Sequence, residues 1–274
     1  MIQRIHHKIS FGSLFILIVS LLPNSIFSQT IIGAKELAMG QAGVAIPESN
    51  WAIFSNPALI PDQHNQISLY ALRYSGFSEL TDLAAAASTN FSWGTTSIGL
   101  HRFGFDLFNE TRLLLAYKNK FEHFHYGVVL NYTRVEQGGG YGTGSALGFN
   151  LGLAAEILPD LWVAARATNI NQPAFGNSDE KLPRDLASGI SYKPARILLL
   201  TFDVVKDVQF PVSVRSGFEI ELVPDFFGRA GFSTEPVTYS LGFGYQPAFI
   251  GFNIAVQQHE VLGLSPGIDI SIRF

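Results

Sequence analysis

Two histidines in this sequence have a spacing that could hold a metal ion. His123 and His125 lie at i and i+2, so their side chains share one face if the segment is a strand. Their neighbours are Phe121, Phe124 and Tyr126, and this aromatic context is more typical of a belt at a membrane interface. We therefore predict no metal ligand and no cofactor for this chain.

Nucleophilic catalysis finds no support in the residue pattern. The chain contains no cysteine, which excludes a thiolate nucleophile, a thiolate metal site and a disulfide. No Ser-His-Asp or Ser-His-Asn grouping stands out, and His101 reads as a histidine of a protein core. The glycine-rich run 138–144 joins two predicted strands rather than a strand and a helix, so it predicts a loop and not a phosphate cradle. The sequence predicts a protein that is not an enzyme.

Composition indicates what surrounds these residues. Charged residues make up 15% of the chain, below the usual quarter, while 47% of the residues are hydrophobic. Past Leu22 no segment approaches the length of a transmembrane helix; the richest run, 197–205, is short and contains Asp203. High apolarity without long apolar runs is typical of a membrane β-barrel. The net charge of −4, with no basic face, excludes nucleic acid as an expected partner.

Alternation of apolar and polar side chains predicts β-strands. Near the C-terminus, Ile268, Ile270 and Ile272 share one face, whereas Asp269 and Ser271 share the other. A soluble sandwich would alternate as well, but its polar face would carry Lys and Glu. Here the polar face is mostly Gly, Ser, Ala and Asn. This difference favours a barrel whose apolar face meets lipid.

The strand pattern repeats about 14 times. The expected strands are 67–75, 80–89, 95–103, 110–118, 123–135, 145–157, 161–170, 186–193, 196–206, 212–222, 226–233, 237–246, 249–257 and 266–274. Tight connections at 90–94, 158–160, 194–195, 223–225 and 247–248 broadly alternate with looser ones at 104–109, 136–144, 171–185, 207–211 and 259–265. Short periplasmic turns and longer outer loops are typical of outer-membrane barrels, and an even count leaves both termini periplasmic.

The first residues have the parts of a secretory signal. Arg4 and Lys8 precede an apolar run, Ile9–Leu22, that is too short for a comfortable bilayer span. Cleavage after Ser28 would leave Gln29 as the mature start, and a retained anchor is the alternative. The predicted organisation is a signal peptide at 1–28, a hatch at 29–65 and a transmembrane barrel at 66–274, located in the bacterial outer membrane.

The stretch before the first strand carries a family resemblance. The sequences Gly33–Ala45 and Ser49–Leu59 are similar to the N-terminal stretch of the PorV/PorQ family and, more distantly, of FadL-type transporters. The resemblance implies a 14-stranded barrel whose N-terminal stretch folds into the lumen as a hatch. Leu59 departs from the glycine usual in FadL proper, and the outer loops are shorter than those of FadL. The residues of the hatch motif are Gly33, Gly40, Gly43, Trp51, Asn56, Pro57 and Ala58.

Local chemistry agrees with a folded hatch. Ser49 is a plausible N-cap for a short turn that contains Trp51 and Phe54, and Pro57 ends that turn at Asn56. We expect Trp51 to be buried and Asn56 to be hydrogen-bonded. Room in the wall is expected at Gly148, Gly152, Gly189, Gly242 and Gly244. A flexible exported tail is the alternative.

Charges of both signs fall on the lumen face of the predicted barrel. They are Arg166, Arg215, Glu219, Arg229, Asp269 and Arg273, together with Glu156 and Glu221. Their near balance argues against a strongly ion-selective pore. The preferred interpretation is a layer of salt bridges that braces the wall and the hatch, and a solute pathway is the alternative.

Three functions remain open from the sequence. One is a PorV/PorQ-like role in type IX secretion, in which the barrel holds partner proteins; another is FadL-like passive uptake of small hydrophobic solutes; the third is a purely structural barrel. The expected partners are outer-membrane lipid, the barrel-assembly machinery through the C-terminal aromatic residue Phe274, and either secretion proteins or a hydrophobic solute.

Overall fold

The structure is a computed structural model that describes residues 31–75, 77, 79–138, 142–176, 180–260 and 262–274. The predicted signal peptide and its cleavage site lie outside the described residues, as does the centre of the glycine-rich run, 139–141. Over the part of the chain described, we find no helix with the length and apolarity needed to cross a membrane.

Fourteen antiparallel strands form a closed barrel, which confirms the predicted fold class. Each strand pairs with its neighbours in sequence, and β14 pairs with β1 from Gln66↔Arg273 to Leu72↔Gly267. Closure leaves no unpaired sheet edge, which lipid could not satisfy. The strands are β1 (Gln66–Arg73), β2 (Thr81–Phe91), β3 (Gly94–Phe105), β4 (Phe108–Phe121), β5 (Phe124–Gln137), β6 (Gly142–Leu158), β7 (Leu161–Ala167), β8 (Asp185–Ala195), β9 (Leu198–Asp207), β10 (Ser213–Val223), β11 (Phe226–Thr234), β12 (Val237–Tyr245), β13 (Ile250–His259) and β14 (Gly263–Arg273).

The period-2 pattern separates two faces in every long strand. On β14, Asp269 and Ser271 are buried, while Ile268, Ile270 and Ile272 are exposed on the outside. Exposed large apolar side chains cover the outer faces of the other strands in the same way. Such a surface is unfavourable in water and is stabilised by lipid, so the exterior is that of a membrane barrel.

The two ends of the barrel differ in their connections. The short-turn end has connections at 92–93, 122–123, 159–160, 196–197, 224–225 and 246–249. The long-loop end has connections at 74–80, 106–107, 138–141, 168–184, 208–212, 235–236 and 260–262. The loose connection predicted at 104–109 is wrong, because the ladder continues to Phe105↔Phe108 and leaves a two-residue turn. The longest connections at the long-loop end are therefore 74–80 and 168–184.

Residues 31–62, here called the N-terminal segment, contain α1 (Ala34–Ala38) and a 3-10 helix (Pro57–Leu59). Helix α1 contacts β11 to β14, and the 3-10 helix contacts β4 to β6. These strands lie on opposite sides of the closed barrel. The segment therefore packs against lumen-facing side chains on both sides, and most of its apolar residues are buried.

Candidate functional site

Helix α1 begins at the carboxylate of Asp269 on β14. The backbone N–H of Ala34 donates to Asp269 Oδ2 at 2.7 Å, and the indole Nε1 of Trp51 donates to the same oxygen at 3.2 Å. The other oxygen accepts from Asn253 on β13 at 2.6 Å. A single wall carboxylate thus joins both ends of the stretch 34–51. Trp51 is 2% exposed, as the sequence predicts.

A chain of polar contacts continues from this carboxylate to Lys35. Arg229 Nη1 donates to Asn253 at 2.8 Å, and Arg229 Nε donates to Glu219 Oε2 at 2.6 Å. The second oxygen of Glu219 accepts from Lys35 Nζ at 3.0 Å. Three of the predicted lumen charges therefore lie in one network, and Lys35 of the N-terminal segment completes it.

Glu36 is the buried acid of the N-terminal segment. Ser49 Oγ donates to its Oε1, and the same hydroxyl accepts from the backbone N–H of Trp51. Burial raises the pKa of Glu36 to about 7, and the charge of Asp269 adds to this effect, while the hydrogen bond from Ser49 opposes it. Glu36 therefore changes its charge near neutral pH.

A second wall carboxylate holds the middle of the N-terminal segment. Asp203 Oδ2 accepts from the backbone N–H of Val44 at 2.9 Å. Its register partner on β10 is Arg215, which is fully buried and donates to the carbonyl of Gln41 at 3.4 Å. Asp203 was noted in the sequence only as an interruption of the apolar run 197–205 and was not assigned to the lumen; that interruption is the signal that could have identified it.

The Asn-Pro-Ala turn is fixed by neutral groups. Asn56 Nδ2 donates to the carbonyl of Val44 at 2.9 Å and lies 3.3 and 3.4 Å from the wall carbonyls of Leu153 and Ala165. Its Oδ1 accepts from the backbone N–H of Ala58 at 3.1 Å, which caps the 3-10 helix. The predicted hydrogen bonding of Asn56 is thus present on both sides of its amide.

Glycines in the wall allow this close approach. A Cβ at Gly152 would collide with Asn56 Oδ1, and a Cβ at Gly231 would collide with the backbone of Met39 and Gly40. Of the other glycines named from the sequence, Gly189 and Gly242 also face the N-terminal segment, whereas Gly148 and Gly244 make room for wall or loop side chains.

A lysine that the sequence analysis did not single out holds the end of the N-terminal segment. Lys118 on β4 is 1% exposed; its Nζ donates to the carbonyl of Ile60 at 2.7 Å and to Asp62 at 2.9 Å. Partial burial opposes ionisation of Asp62, but hydrogen bonds from Lys118 and Lys120 outweigh it and lower the pKa of Asp62. Burial raises the pKa of Glu48, which is 3.9 Å from Lys118, to about 7.

Four predicted lumen charges remain, of which Glu156 and Glu221 accept from backbone N–H groups of the short turns, at Asp160 and Asp225. Arg166 donates to the carbonyl of Ser55 at 2.9 Å and pairs with Asp185 at 3.2 Å. Arg273 lies at the end of β14 and is half-buried. Most of the charges named from the sequence therefore contact the N-terminal segment or each other.

The long-loop side of the N-terminal segment has an apolar lining. The aromatic rings of Tyr74 and Phe103 meet edge to face at 6.0 Å, and Leu72, Leu80 and Leu262 pack into the same cluster. All five lie at or beyond strand ends that face the long loops. Charged side chains also lie at these strand ends, since Asp82 is near the start of β2 and Glu110 and Arg112 are near the start of β4.

A row of hydrogen-bonded polar side chains, Asp82, His101 and Arg112, lies on the wall beside this lining. Asp82 Oδ1 lies 2.6 Å from His101 Nε2, and Arg112 Nε donates to His101 Nδ1 at 3.0 Å. Both ring nitrogens of His101 are therefore engaged, which leaves neither free to act as a base. His101 is buried, in agreement with its interpretation as a core histidine.

The histidine pair does not form a site. His123 lies in the exposed turn 122–123, whereas His125 is buried and packs edge-on against Trp162 at 5.0 Å. The prediction that both share one strand face is wrong, because β4 and β5 extend to Phe121 and Phe124 and leave His123 in the turn. Among the described residues, no group of three or more His, Asp or Glu side chains is placed to hold a metal ion.

Aromatic residues ring the short-turn end on the outside. Phe91 stacks on Trp93 at 5.0 Å, and Trp93 stacks on Tyr117 at 5.7 Å. On the other side of the barrel, Phe226 lies 4.6 Å from Tyr245. Aromatic girdles of this kind are typical of the boundary between lipid and water.

Fold and exterior together define the class: a closed, 14-stranded antiparallel β-barrel with the apolar outer face of an outer-membrane protein. No family model and no curated protein matches the sequence. The structure is similar to the toluene transporter TodX of Pseudomonas putida, with a TM-score of 0.72 at 12% identity over 90% of this chain and 99% of that chain.

Two further solved structures share the architecture. A FadL homologue of Pseudomonas aeruginosa has a TM-score of 0.61 at 11% identity, over 89% of this chain and 98% of that chain. The outer membrane protein Omp33 of Acinetobacter baumannii has a TM-score of 0.51 at 9% identity, over 77% of this chain and 98% of that chain. At these identities the likeness shows the fold.

Proposed function

We propose that this protein is a bacterial outer-membrane channel for small hydrophobic solutes, with the N-terminal segment as a hatch. The long-loop end faces the outside in this proposal, because outer-membrane barrels turn their short connections toward the periplasm. Solutes move down their gradient, and neither a cofactor nor a catalytic step takes part.

The observation that carries the proposal is the way in which the N-terminal segment is held. It lies between opposite sides of the wall and is attached by hydrogen bonds and ion pairs to Asp269, Glu219 and Asp203. Such contacts can break and re-form, so the segment can act as a movable barrier. The apolar lining around Tyr74 and Phe103 favours a hydrophobic solute over an ion, and the names of the similar structures (a toluene transporter and a monoaromatic hydrocarbon channel) point the same way.

Uptake into vesicles whose outer leaflet is lipopolysaccharide tests this function, because toluene crosses a plain phospholipid bilayer without a protein. The protein is reconstituted, and entry of toluene and of glucose is measured in parallel. We expect toluene to enter faster than in empty vesicles, while glucose is excluded. Removal of residues 31–62 should admit both solutes, because the barrier is gone. Equal exclusion of toluene by the full chain and by empty vesicles would contradict the channel.

A PorV/PorQ-like role in secretion is the second candidate. Its support is the resemblance of residues 31–62, together with the filled lumen and the two-residue turns at 106–107 and 235–236. Such a barrel would hold a partner protein at its outer face instead of passing a solute. Chemical crosslinking in cells, followed by purification of the barrel, would recover one defined exported protein. A full chain that transports toluene and captures no partner favours the channel.

The C-terminal residue has a proposed role in assembly. Phe274 is exposed, and its backbone exchanges hydrogen bonds with Asn65 at 2.9 and 3.1 Å beside the β1–β14 seam. An exposed terminal aromatic side chain at the closing seam supports recognition by the barrel-assembly machinery. Phe274→Ala should lower the amount of barrel inserted in cells without altering the stability of refolded protein.

A further inference from the structure

Three arginines lie on the outer face of alternate strands at the long-loop end. Arg73 is the last residue of β1, while Arg102 and Arg134 each lie three residues before the ends of β3 and β5. All three are exposed. The other charged residues that we find on the outward register of the described strands are Glu136 and Lys206, and these also lie at the long-loop end.

Strand register brings two of the arginines together. Arg102 pairs with Thr111 on β4, and Thr111 pairs with Arg134 on β5. Neighbouring strands are about 4.8 Å apart, so the Cα atoms of the two arginines are about 10 Å apart with a threonine hydroxyl between them. Their long side chains can reach one small anion. Arg134 is also held by Glu136, with Nη2 and Oε1 2.7 Å apart.

The chemistry of this cluster fits phosphate. A guanidinium group presents a planar fork of donors that matches phosphate oxygens and is only weakly hydrated. Charged side chains are unfavourable in hydrocarbon, so arginines on the lipid face are stabilised at the level of the headgroups. On the outward register of these strands, three cations stand against one acid, Glu136, while the carboxylates of Glu79 and Asp106 lie in the adjoining loops.

We propose that Arg102 and Arg134, with Thr111 between them and Arg73 nearby, bind the phosphate groups of a phosphorylated glycolipid in the outer leaflet. The inference rests on the proposed outer-membrane placement, with the long-loop end outward. Such a lipid would anchor the rim beside the β1–β5 wall, where the apolar lining of the lumen begins. It would thereby fix the height of the barrel in the membrane.

Lipid titration followed by native mass spectrometry tests the site. The full-length barrel in detergent is titrated with bisphosphorylated lipid A and with the same lipid after removal of both phosphates. We expect the intact lipid to bind more tightly, and Arg102→Gln with Arg134→Gln to weaken it about tenfold or more. Glu136→Gln should strengthen binding, because it removes the competing carboxylate.

Lys206→Gln is the matched control, since Lys206 is an outward cation at the same end on the distant strand β9. An equal loss in this control, or equal binding of the dephosphorylated lipid, overturns the site. Equal binding of phosphatidylglycerol overturns the glycolipid assignment. Flotation of the refolded barrel with lipid vesicles separates the two proposals: a barrel that stays out of the bilayer contradicts the membrane function itself. A barrel that inserts but ignores phosphate contradicts only the site.

Discussion

The two helical ends of the N-terminal segment are attached to the wall by different chemistry. At α1, Lys35 pairs with Glu219, and Asp269 accepts from the backbone of Ala34. At the Asn-Pro-Ala turn, Asn56 donates to carbonyl groups and packs against Gly152. Charged donors also contact the chain on both sides of this turn, Arg166 at Ser55 and Lys118 at Ile60 and Asp62. The turn itself is held by the neutral amide of Asn56, which does not respond to protons or salt as the charged contacts of α1 do. We infer that α1 is the end that releases first and that the turn is the fixed end.

The largest effect is expected at the fixed end. Asn56→Ala removes the two hydrogen bonds that the buried amide nitrogen can donate and the one that its oxygen accepts, which should cost roughly 3 kcal/mol at about 1 kcal/mol for each bond. Hydrogen exchange of residues 31–62 and denaturant unfolding measure the loss. Asn131→Ala is the control, because this buried wall amide bonds to Asn169 and not to the N-terminal segment. Equal release of the segment by both variants would show that Asn56 has no special role.

The lipid face provides a contrast to the lumen. Leu241→Arg places a charge on the exposed outer surface in the middle of β12 and should cost about 2–4 kcal/mol. Phe252→Arg should cost less, because Phe252 pairs with Tyr245 of the aromatic girdle and therefore lies near the lipid–water boundary. Because these side chains point away from the lumen, hydrogen exchange in residues 31–62 should change only through global unfolding of the barrel. Gln258→Arg, close to the end of β13, should cost about 0–1 kcal/mol. Folding titrations in lipid vesicles measure these costs, and unchanged stability of Leu241→Arg would contradict the outward register.

Lower pH should stabilise the folded N-terminal segment around α1, because Glu36 then becomes protonated. The pKa of Glu36 is raised to about 7 in the fold from 4.5, so folding favours the protonated acid. This stabilisation is complete below about pH 4.5 and is lost as pH rises through 7; a shift of this size corresponds to about 3 kcal/mol. The pKa of Glu48 is raised as well, so its contribution to stability has the same pH dependence. Asp62 has the opposite sign, since its pKa is lowered and its contribution is lost only in stronger acid.

Hydrogen exchange at pH 5 and pH 8 measures this dependence. Because intrinsic exchange is itself slower at pH 5, the protection factors are compared, each being the intrinsic rate divided by the observed rate at the same pH. We expect higher protection factors around 34–45 at pH 5 and little change in those around the Asn-Pro-Ala turn. Glu36→Gln should remove most of the difference, whereas Glu48→Gln should leave most of it. A difference that survives in Glu36→Gln would locate the titrating group elsewhere.

The smallest effect is expected from the partly exposed ion pair. Lys35→Met leaves Glu219 paired with Arg229, so the loss should be about 1 kcal/mol or less. Toluene uptake should rise slightly if α1 moves first, and added salt should reproduce that rise in the wild-type protein. Lys120→Met, which removes an exposed partner of Asp62, is the control and should leave uptake unchanged.

Local patterns in the sequence determined which wall residues face lipid and where the Asn-Pro-Ala turn lies. Alternation along residues such as Ile268 to Ile272 fixed which side chains face lipid, because successive residues of a strand point to opposite faces. Asn56 before Pro57 specified the end of a turn, because proline restricts the residue before it. These rules act over a few residues, so they can be read from the chain.

Only the tertiary structure decided the partners across the lumen. Lys35 and Glu219 are 184 positions apart, and Ala34 and Asp269 are 235 apart. Alternation shows that a residue faces the lumen, but not which residue lies opposite, because that depends on barrel closure and on the path of the N-terminal segment. Lys118 remained unnoticed for the same reason: its partners Ile60 and Asp62 approach it only when the segment lies inside the wall.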